Sequence, residues 1–525
     1  MRFALLLCSC ALSSCASAHA PVASRTPQPS ATLSAAAPPC PARPLRVRVT
    51  LAPEIAKRPA SGRLVFFMTD AKEPRETLRF DLLHPHATWM AADDVRSLAP
   101  GAAFELDPDR TAFPHPLSTA KPGTYQAMAL LDGDHDFARV GANAGDLRSA
   151  VTTVEIGRGA IELRLDRVVP AEPEPTETAS LKIARVPSAL LSAFYARPIE
   201  IRATVVLPPA AKDPKKKLPT AYAIAGFGAS DAALAKRGAT IAAGMESGAI
   251  PELAFVLLTG ALPTGHHVFA DSVNDGPWGR AFVEELVPAL EKRYPLVARA
   301  RARFLTGHSS GGWSSLWLAI SHPDFFAGTW STSPDPVDFR AYTTFDATPG
   351  STDNVFRKAD GTPRNLLRFG DKDILGYEDF AKIEAVQGEY GGVLETFEWV
   401  FSPKGDDGRP LSLFDRVTGE QNPIVQRAWE KWDIRKVLDA NWATLGPKLE
   451  GKLHVYCGSI DTVHLERAVE LLCKFLRDKG SDATCEIVPG KHHFDIYGEG
   501  PDAFTAKDGL FARITGEMRR AFDKR

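Results

Sequence analysis

Glycines stand two residues before and two after a serine in Gly307-His308-Ser309-Ser310-Gly311, between the strand-like run Arg303 to Thr306 and the start of an amphipathic, helix-like stretch. This G-x-S-x-G spacing is what a nucleophile elbow requires. The turn is strained and exposes the serine hydroxyl, and the glycines sit where strand and helix must cross. A serine hydroxyl is a weak nucleophile at neutral pH. It needs an imidazole to take its proton and a carboxylate to hold that imidazole in one tautomer and steady its charge. Candidates for both follow strand-like runs far downstream. Leu453 to Cys457 leads into Gly458-Ser459-Ile460-Asp461, and Ala483 to Val488 leads into Pro489-Gly490-Lys491-His492-His493. Asp461 is the candidate acid; the alternative for it is an N-cap of the helix that follows. Adjacent loop residues point to different sides, so one of His492 and His493 can face Ser309, and the residues alone leave both open.

Other groups could share the site. His308, inside the elbow, is expected to pack or line it. His266 and His267 follow a different strand and read as a solvated loop pair, while Asp335 and Asp338, in Ser333-Pro334-Asp335-Pro336-Val337-Asp338, stand where an alternative acid could be placed. An oxyanion formed by attack at Ser309 needs two donors. The backbone N–H of Ser310, next to the nucleophile, is one candidate. Phe227 is the other, in the loop Gly226-Phe227-Gly228 after the strand-like run Thr220 to Ala225, where glycines let the backbone approach a substrate. No C-x-x-C pair suggests a metal, and this chemistry calls for no cofactor.

The elements that must position these residues set the organisation. At 525 residues the chain exceeds the roughly 250 to 300 at which single cores stop growing, so two folded domains are expected. A formal charge of -2 provides no field to draw nucleic acid or an anionic membrane. Residues 1–20 read as a signal peptide: Met1-Arg2, an apolar run from Phe3 to Leu12, then small residues through Ala18. Within it, Leu12-Ser13-Ser14-Cys15 resembles a bacterial lipobox, which would attach the chain to a membrane through a lipidated Cys15. Cleavage after Ala18 is the alternative and implies a secreted protein. Residues 21–44, rich in Ala, Pro, Ser and Thr, read as a disordered tether. Short alternating segments over residues 45–170 argue an antiparallel β-sandwich, and the Pro-Glu-rich stretch 171–180 a linker. From residue 181 to 525 strands alternate with helices in the rhythm of a mostly parallel sheet, interrupted by an aromatic-rich insertion at about 339–433 that reads as a lid or cap. Of the cysteines beyond the leader, Cys457, Cys473 and Cys485 lie close enough in sequence for a disulfide among them.

At these residues the chain resembles the "Putative esterase" family of α/β hydrolases, whose members include esterase D (S-formylglutathione hydrolase), enterochelin esterases, feruloyl esterases and mycolyl transferases. Asn274-Asp275-Gly276-Pro277-Trp278-Gly279, a helix ending Glu291-Lys292-Arg293-Tyr294, and the elbow are together similar to that family's approach to its nucleophile. Gly490-Lys491-His492-His493 resembles its Gly-x-x-His loop, which selects His493. Other members write Gly-x-His with an aromatic two residues on, which selects His492, and Phe494 suits that version. A sandwich ahead of the hydrolase part also resembles the enterochelin esterases. Two departures stand out: Ala225-Gly226 replaces the usual His-Gly, and the long insertion is foreign to the compact members. The resemblance implies an α/β-hydrolase fold and cleavage of a small-molecule or polymer-linked carboxylic ester through an acyl-enzyme on Ser309, without metal or cofactor. The alternatives are acyl transfer by the same triad, and a non-catalytic surface protein that binds a polymer.

Overall fold

The computed structural model describes residues 45–525 apart from 135, 137–140, 142, 158, 389, 390, 499 and 525, so the leader, the Cys15 lipobox and the tether lie outside the described residues. The site rests on a sheet of eight strands: β1 (Leu181–Pro187), β2 (Glu200–Val206), β3 (Thr220–Ile224), β4 (Ala254–Leu258), β5 (Arg303–His308), β6 (Gly328–Thr332), β7 (Leu453–Gly458) and β8 (Thr484–Val488). Their order is β1-β2-β4-β3-β5-β6-β7-β8. The first two ladders are antiparallel and the other five parallel, which is the α/β-hydrolase sheet. β4 is buried along its whole length and reads Ala-Phe-Val-Leu-Leu, as a strand covered on both faces must.

Helices cover those faces. α1 (Asp231–Glu246) starts at Ser230, whose hydroxyl accepts the Ala233 N–H, and α2 (Ser310–Ser321) follows β5. The insertion contributes α3 (Tyr377–Gln387), α4 (Val393–Phe401) and α5 (Pro423–Trp429), and α6 (Ile434–Leu449) leads back to β7. α7 (Glu466–Asp478) joins β7 to β8 with Ala468, Val469, Leu472, Cys473 and Leu476 buried at helical spacing, and α8 (Leu510–Asp523) buries Phe511, Ile514 and Met518. The helix expected over Trp278 to Tyr294 forms with a π-helical middle, Ala281–Leu286. Pro288 follows it, and its missing N–H removes one regular helix bond.

Cys473 on α7 and Cys485 on β8 form a disulfide, while Cys457 on β7 is a free, buried thiol. Among the described residues no helix is long and apolar enough to cross a membrane.

Ahead of this sheet the alternating segments form two more. Val47–Leu51, Ala103–Leu106 and Ile161–Leu165 make a three-stranded sheet, and Ala60–Thr69, Trp89–Leu98 and Gly123–Asp132 are the long strands of a seven-stranded one. Val47, Val49, Leu51 and Leu163 from the first share a core with Leu64, Phe66, Ala129 and Leu131 from the second. The expectation of purely antiparallel pairing fails at one ladder. Val47–Leu51 and Ile161–Leu165 pair in parallel, so the smaller sheet is mixed. Alternation specifies which face is buried and not the direction of the partner, and the long excursion between these strands lets the chain return in the same sense.

Leu64-Val65-Phe66-Phe67-Met68 breaks the alternation because both faces of its strand are covered. Val65, Phe67, Met90, Met128 and Leu130 turn away from the smaller sheet and join the core that holds the insertion. Arg63 on the same strand ends α3: its Nε and Nη2 donate to the carbonyls of Val386 and Ala385 at 3.1 and 2.5 Å, placing a cation at a helix C-terminus. The described residues, from 45 onward, accordingly form one compact unit.

Candidate active site

Ser309 sits between β5 and α2 with φ 59 and ψ -124, a backbone conformation that L residues rarely adopt. The chain around it holds it there. Its N–H donates to Thr332 O at 3.1 Å, and its carbonyl accepts the N–H of Trp313 at 3.0 Å and of Asp335 at 3.2 Å. The flanking glycines are required by distance. A Cβ on Gly307 would lie 2.0 Å from Gly311 O, and one on Gly311 would lie 2.0 Å from Ile224 O. Backbone cannot yield as a side chain end can. Gly311→Ala is therefore expected to destabilise the fold by more than about 3 kcal/mol, at or beyond the usual cost of overpacking. An unchanged denaturant midpoint for that variant would contradict this crossing geometry.

The acid and base candidates meet. Asp461, fully buried on the loop after β7, accepts a hydrogen bond from His493 Nδ1–H at 2.9 Å through Oδ2, and its Oδ1 accepts the Val463 N–H at 2.9 Å. It is not the N-cap of the following helix, which begins at Glu466. The two loops are tied together by Ile460 N–H to Lys491 O at 3.1 Å and Ser459 N–H to Val488 O at 3.0 Å. They pass so closely that a Cβ on Gly458 would lie 2.1 Å from Lys491 O, a requirement that sequence analysis did not register.

Burial opposes charge on both groups. For Asp461, the His493 charge and hydrogen bond outweigh that penalty and hold its pKa below the ordinary value; for His493, the charges of Asp461 and Asp335 and the Asp461 hydrogen bond outweigh it and hold the pKa above. Each partner favours the ionised form of the other.

His492 is turned elsewhere. Its backbone N–H donates to Asp495 Oδ1 at 2.7 Å, its Nε2 lies 3.6 Å from Asp495 Oδ2, and its ring packs 5.2 Å from that of Phe369. His308 lines the site as expected, its ring 4.6 Å from that of His493, and burial pushes its pKa down to about 3. It is neutral and bonded to Thr332 Oγ1 at 3.2 Å.

The expectation of a solvated pair at His266 and His267 is corrected: they are 2% and 1% exposed. His266 Nε2–H donates to Ala225 O at 3.0 Å, and its Nδ1 accepts the Val268 N–H at 3.0 Å. It thereby fixes the peptide just before Gly226. His267 stacks on Trp278 at 3.9 Å. The His266 ring is received by Gly260, where a Cβ would meet it at 2.1 Å, and the His267 ring by Trp278 and Phe269, a tertiary fit with no local signal.

Phe227 and Ser310 line the same pocket as Ser309 and His493. Ser310 is the first residue of α2, where a backbone N–H has no intrahelical acceptor. Gly226 lies tight against the nucleophile: a Cβ there would be 3.1 Å from Ser309 Cβ. Of the two alternative acids, Asp338 is fully buried and paired with Arg340 and, at 3.2 Å, Arg435, away from the pocket. Asp335 is at the elbow, its Oδ1 accepting the Ser309 hydroxyl at 3.4 Å.

Residues 197–449 match the family model described as "Putative esterase". The matched segment belongs to that family. The chain is accordingly a serine hydrolase acting on esters. The match holds the elbow and the insertion but stops before Asp461 and His493, which stand here on geometry alone. No curated protein matches the sequence. Similar solved structures include a ferulic acid esterase (16% identity, 65% of this chain and 98% of that one, TM-score 0.38) and the fluorophosphonate-binding serine hydrolase F of Staphylococcus aureus (15%, 66% and 99%, 0.37). An S-formylglutathione hydrolase from Agrobacterium tumefaciens is another (13%, 66% and 98%, 0.38). At TM-scores below 0.5 these likenesses decide nothing about this chain's residues or substrate.

In this esterase the insertion roofs Ser309. The cavity above Ser309 measures about 400 Å³, and Tyr342, Phe345, Leu367, Phe380, Phe397 and Trp429 of the insertion line it. Other insertion aromatics anchor the roof. Phe401 and Trp432 pack 5.1 Å from Trp313 and Trp317 of α2, a contact of the offset and tilted kind aromatic pairs favour. The stretch thus both lines the pocket and packs its aromatics on α2.

Proposed function

We propose that this protein is an exported serine esterase in which Ser309 is the acylated nucleophile, His493 the general base, Asp461 the acid that orients it, and the amides of Ser310 and Phe227 the oxyanion hole. The observation that carries the reading is the Asp461–His493 hydrogen bond at 2.9 Å beside a serine held at φ 59 in the same pocket. In the first step Ser309 Oγ attacks the ester carbonyl while its proton passes to His493 Nε2. The oxyanion is met by the two amides, each worth about 10²- to 10³-fold in rate. Collapse expels the alcohol, which takes the proton from His493; a water then repeats the sequence on the acyl-enzyme.

The apolar roof supports a bulky apolar acyl group over a small polar one, since desolvating such a group against aromatic walls is favourable. The disulfide between Cys473 and Cys485 supports export, because such bonds persist in oxidising compartments. The leader-like residues 1–20 support it too, with lipid attachment at Cys15 the anchored version. The two sheets of residues 45–170 are read as a sandwich domain that braces the roof through α3.

A fluorophosphonate probe tests the reading directly. Peptide mass spectrometry is expected to find the adduct on Ser309 and none after heat unfolding. A folded protein that stays unlabelled would remove the catalytic reading and favour a binding role.

A further inference from the structure

Asp461 meets His493, and a second carboxylate, Asp335, stands at Ser309 itself. Asp335 is 8% exposed and lines the pocket. Its Oδ1 takes the Ser309 hydroxyl at 3.4 Å; its Oδ2 is buried without a hydrogen-bond partner among the described residues. No hydrogen bond joins Ser309 to His493 among those residues. Burying a carboxylate with an unpartnered oxygen is costly, and such groups ask for a reason. The backbone of its loop does not supply one, and the side chains that favour its charge, Ser310 and Ser309, belong to the elbow. The bond that ties this loop to the elbow is made by the Asp335 backbone N–H to Ser309 O at 3.2 Å, which any residue but proline could make.

Resting on the assignment of Ser309 and His493 above, we propose that Asp335 is a second carboxylate of the catalytic charge system: it holds the resting Ser309 hydroxyl and adds its charge to that of Asp461 in stabilising the His493 imidazolium. On attack the hydroxyl turns from Asp335 Oδ1 to His493, its proton passes to Nε2, and Asp335 undergoes no covalent change. Asp461 bonds to His493 and Asp335 lines the same pocket, and the Asp335 charge is among those that raise the His493 pKa. In return burial and the nearby Asp461 charge push the Asp335 pKa up to about 6, although Ser310, His493 and Ser309 pull against that rise. The charged and titratable groups of this pocket and its walls are His493, Asp461, His308, Tyr342, Tyr377, Glu398 and, across the pocket, Arg237. His308 is held neutral, so it supplies no competing charge.

The sign of the effect is fixed by chemistry. Removing a negative charge from the pocket that holds His493 makes it a weaker base, by about one pKa unit for a nearby charge. In Asp335→Asn the acid limb of kcat/KM is expected to move about one unit toward lower pH. The plateau above it should fall by up to about tenfold, since one unit of basicity is a factor of ten. The two profiles therefore converge below the limb. Asp335→Ser, which removes the charge but keeps a small polar group, should do the same. Fluorophosphonate labelling rates measured across the same pH range should follow both curves, independent of substrate fit. A limb that stays in place while rates fall by one factor at every pH, or profiles that coincide with the wild type, would overturn the proposal. Hydrolysis that survives in Ser309→Ala would instead overturn the triad assignment on which it rests.

Discussion

Ser309→Ala is expected to lower kcat/KM for an activated p-nitrophenyl ester by about 10⁴-fold or more, the scale on which loss of a triad nucleophile acts. What remains comes from the oxyanion donors and the apolar pocket, which stay in place. Stability should hardly move. The strain at Ser309 belongs to its backbone, φ 59 and ψ -124, and alanine meets the same conformation. The lost hydroxyl forfeits one long hydrogen bond to Asp335, 3.4 Å, and relieves none of the contacts that hold the elbow. Steady-state rates and a denaturant melt on the same preparation check both halves. Activity within tenfold of the wild type would exclude Ser309 as the nucleophile.

The second large effect separates neighbours. His493→Ala should lose about 10³-fold or more, since general-base catalysis contributes on the order of 10² to 10⁴ and the nucleophile cannot be deprotonated without it. His492→Ala should stay within a few-fold of the wild type, because its ring packs on Phe369 and reaches toward Asp495 rather than into the pocket. The pH profile adds a check. A base works when unprotonated, so kcat/KM must fall as pH drops through the folded pKa of His493. The Asp461 charge and hydrogen bond raise that pKa against the penalty of burial, so the acid limb is expected above the ordinary histidine value of about 6.5. A limb well below 6.5 would mean that the imidazole is not ion-paired. Equal losses at the two histidines would mean that the loop, and not a side chain, had been disturbed.

Much of this site is legible from local pattern. The elbow at Ser309 shows because a strand-turn-helix crossing admits only glycine where a Cβ would lie 2.0 Å from backbone oxygen, and that requirement is written as two glycines at fixed offsets. Asp461 shows because a strand's end is marked by the close of an apolar run. The π-helical middle at Ala281–Leu286 left its trace as Pro288 inside an otherwise helical pattern. Where reading failed, the cause was a partner distant in sequence. His266 and His267 have loop-like neighbours and yet are buried, because Gly260, Ala225 and Trp278 come from other elements to receive them. Leu64 to Met68 looks like a strand with one dry face, and the second face is dry because α3 arrives from more than 300 residues away.

By itself the sequence placed the elbow at Ser309, the order in which Asp461 and the two histidines follow it, and the strand-helix rhythm that brings them to one end of a sheet. Each of these depends on residues within a turn or a strand of one another. The tertiary structure decided the rest: that His493 faces Asp461 while His492 turns to Asp495, that Cys473 pairs with Cys485, that the insertion roofs the pocket, and that Asp335 lies at the serine hydroxyl. Those outcomes depend on which faces meet after the chain has crossed the sheet. A loop residue's direction is set by the packing and hydrogen bonds it finds there, and its neighbours in sequence do not specify them.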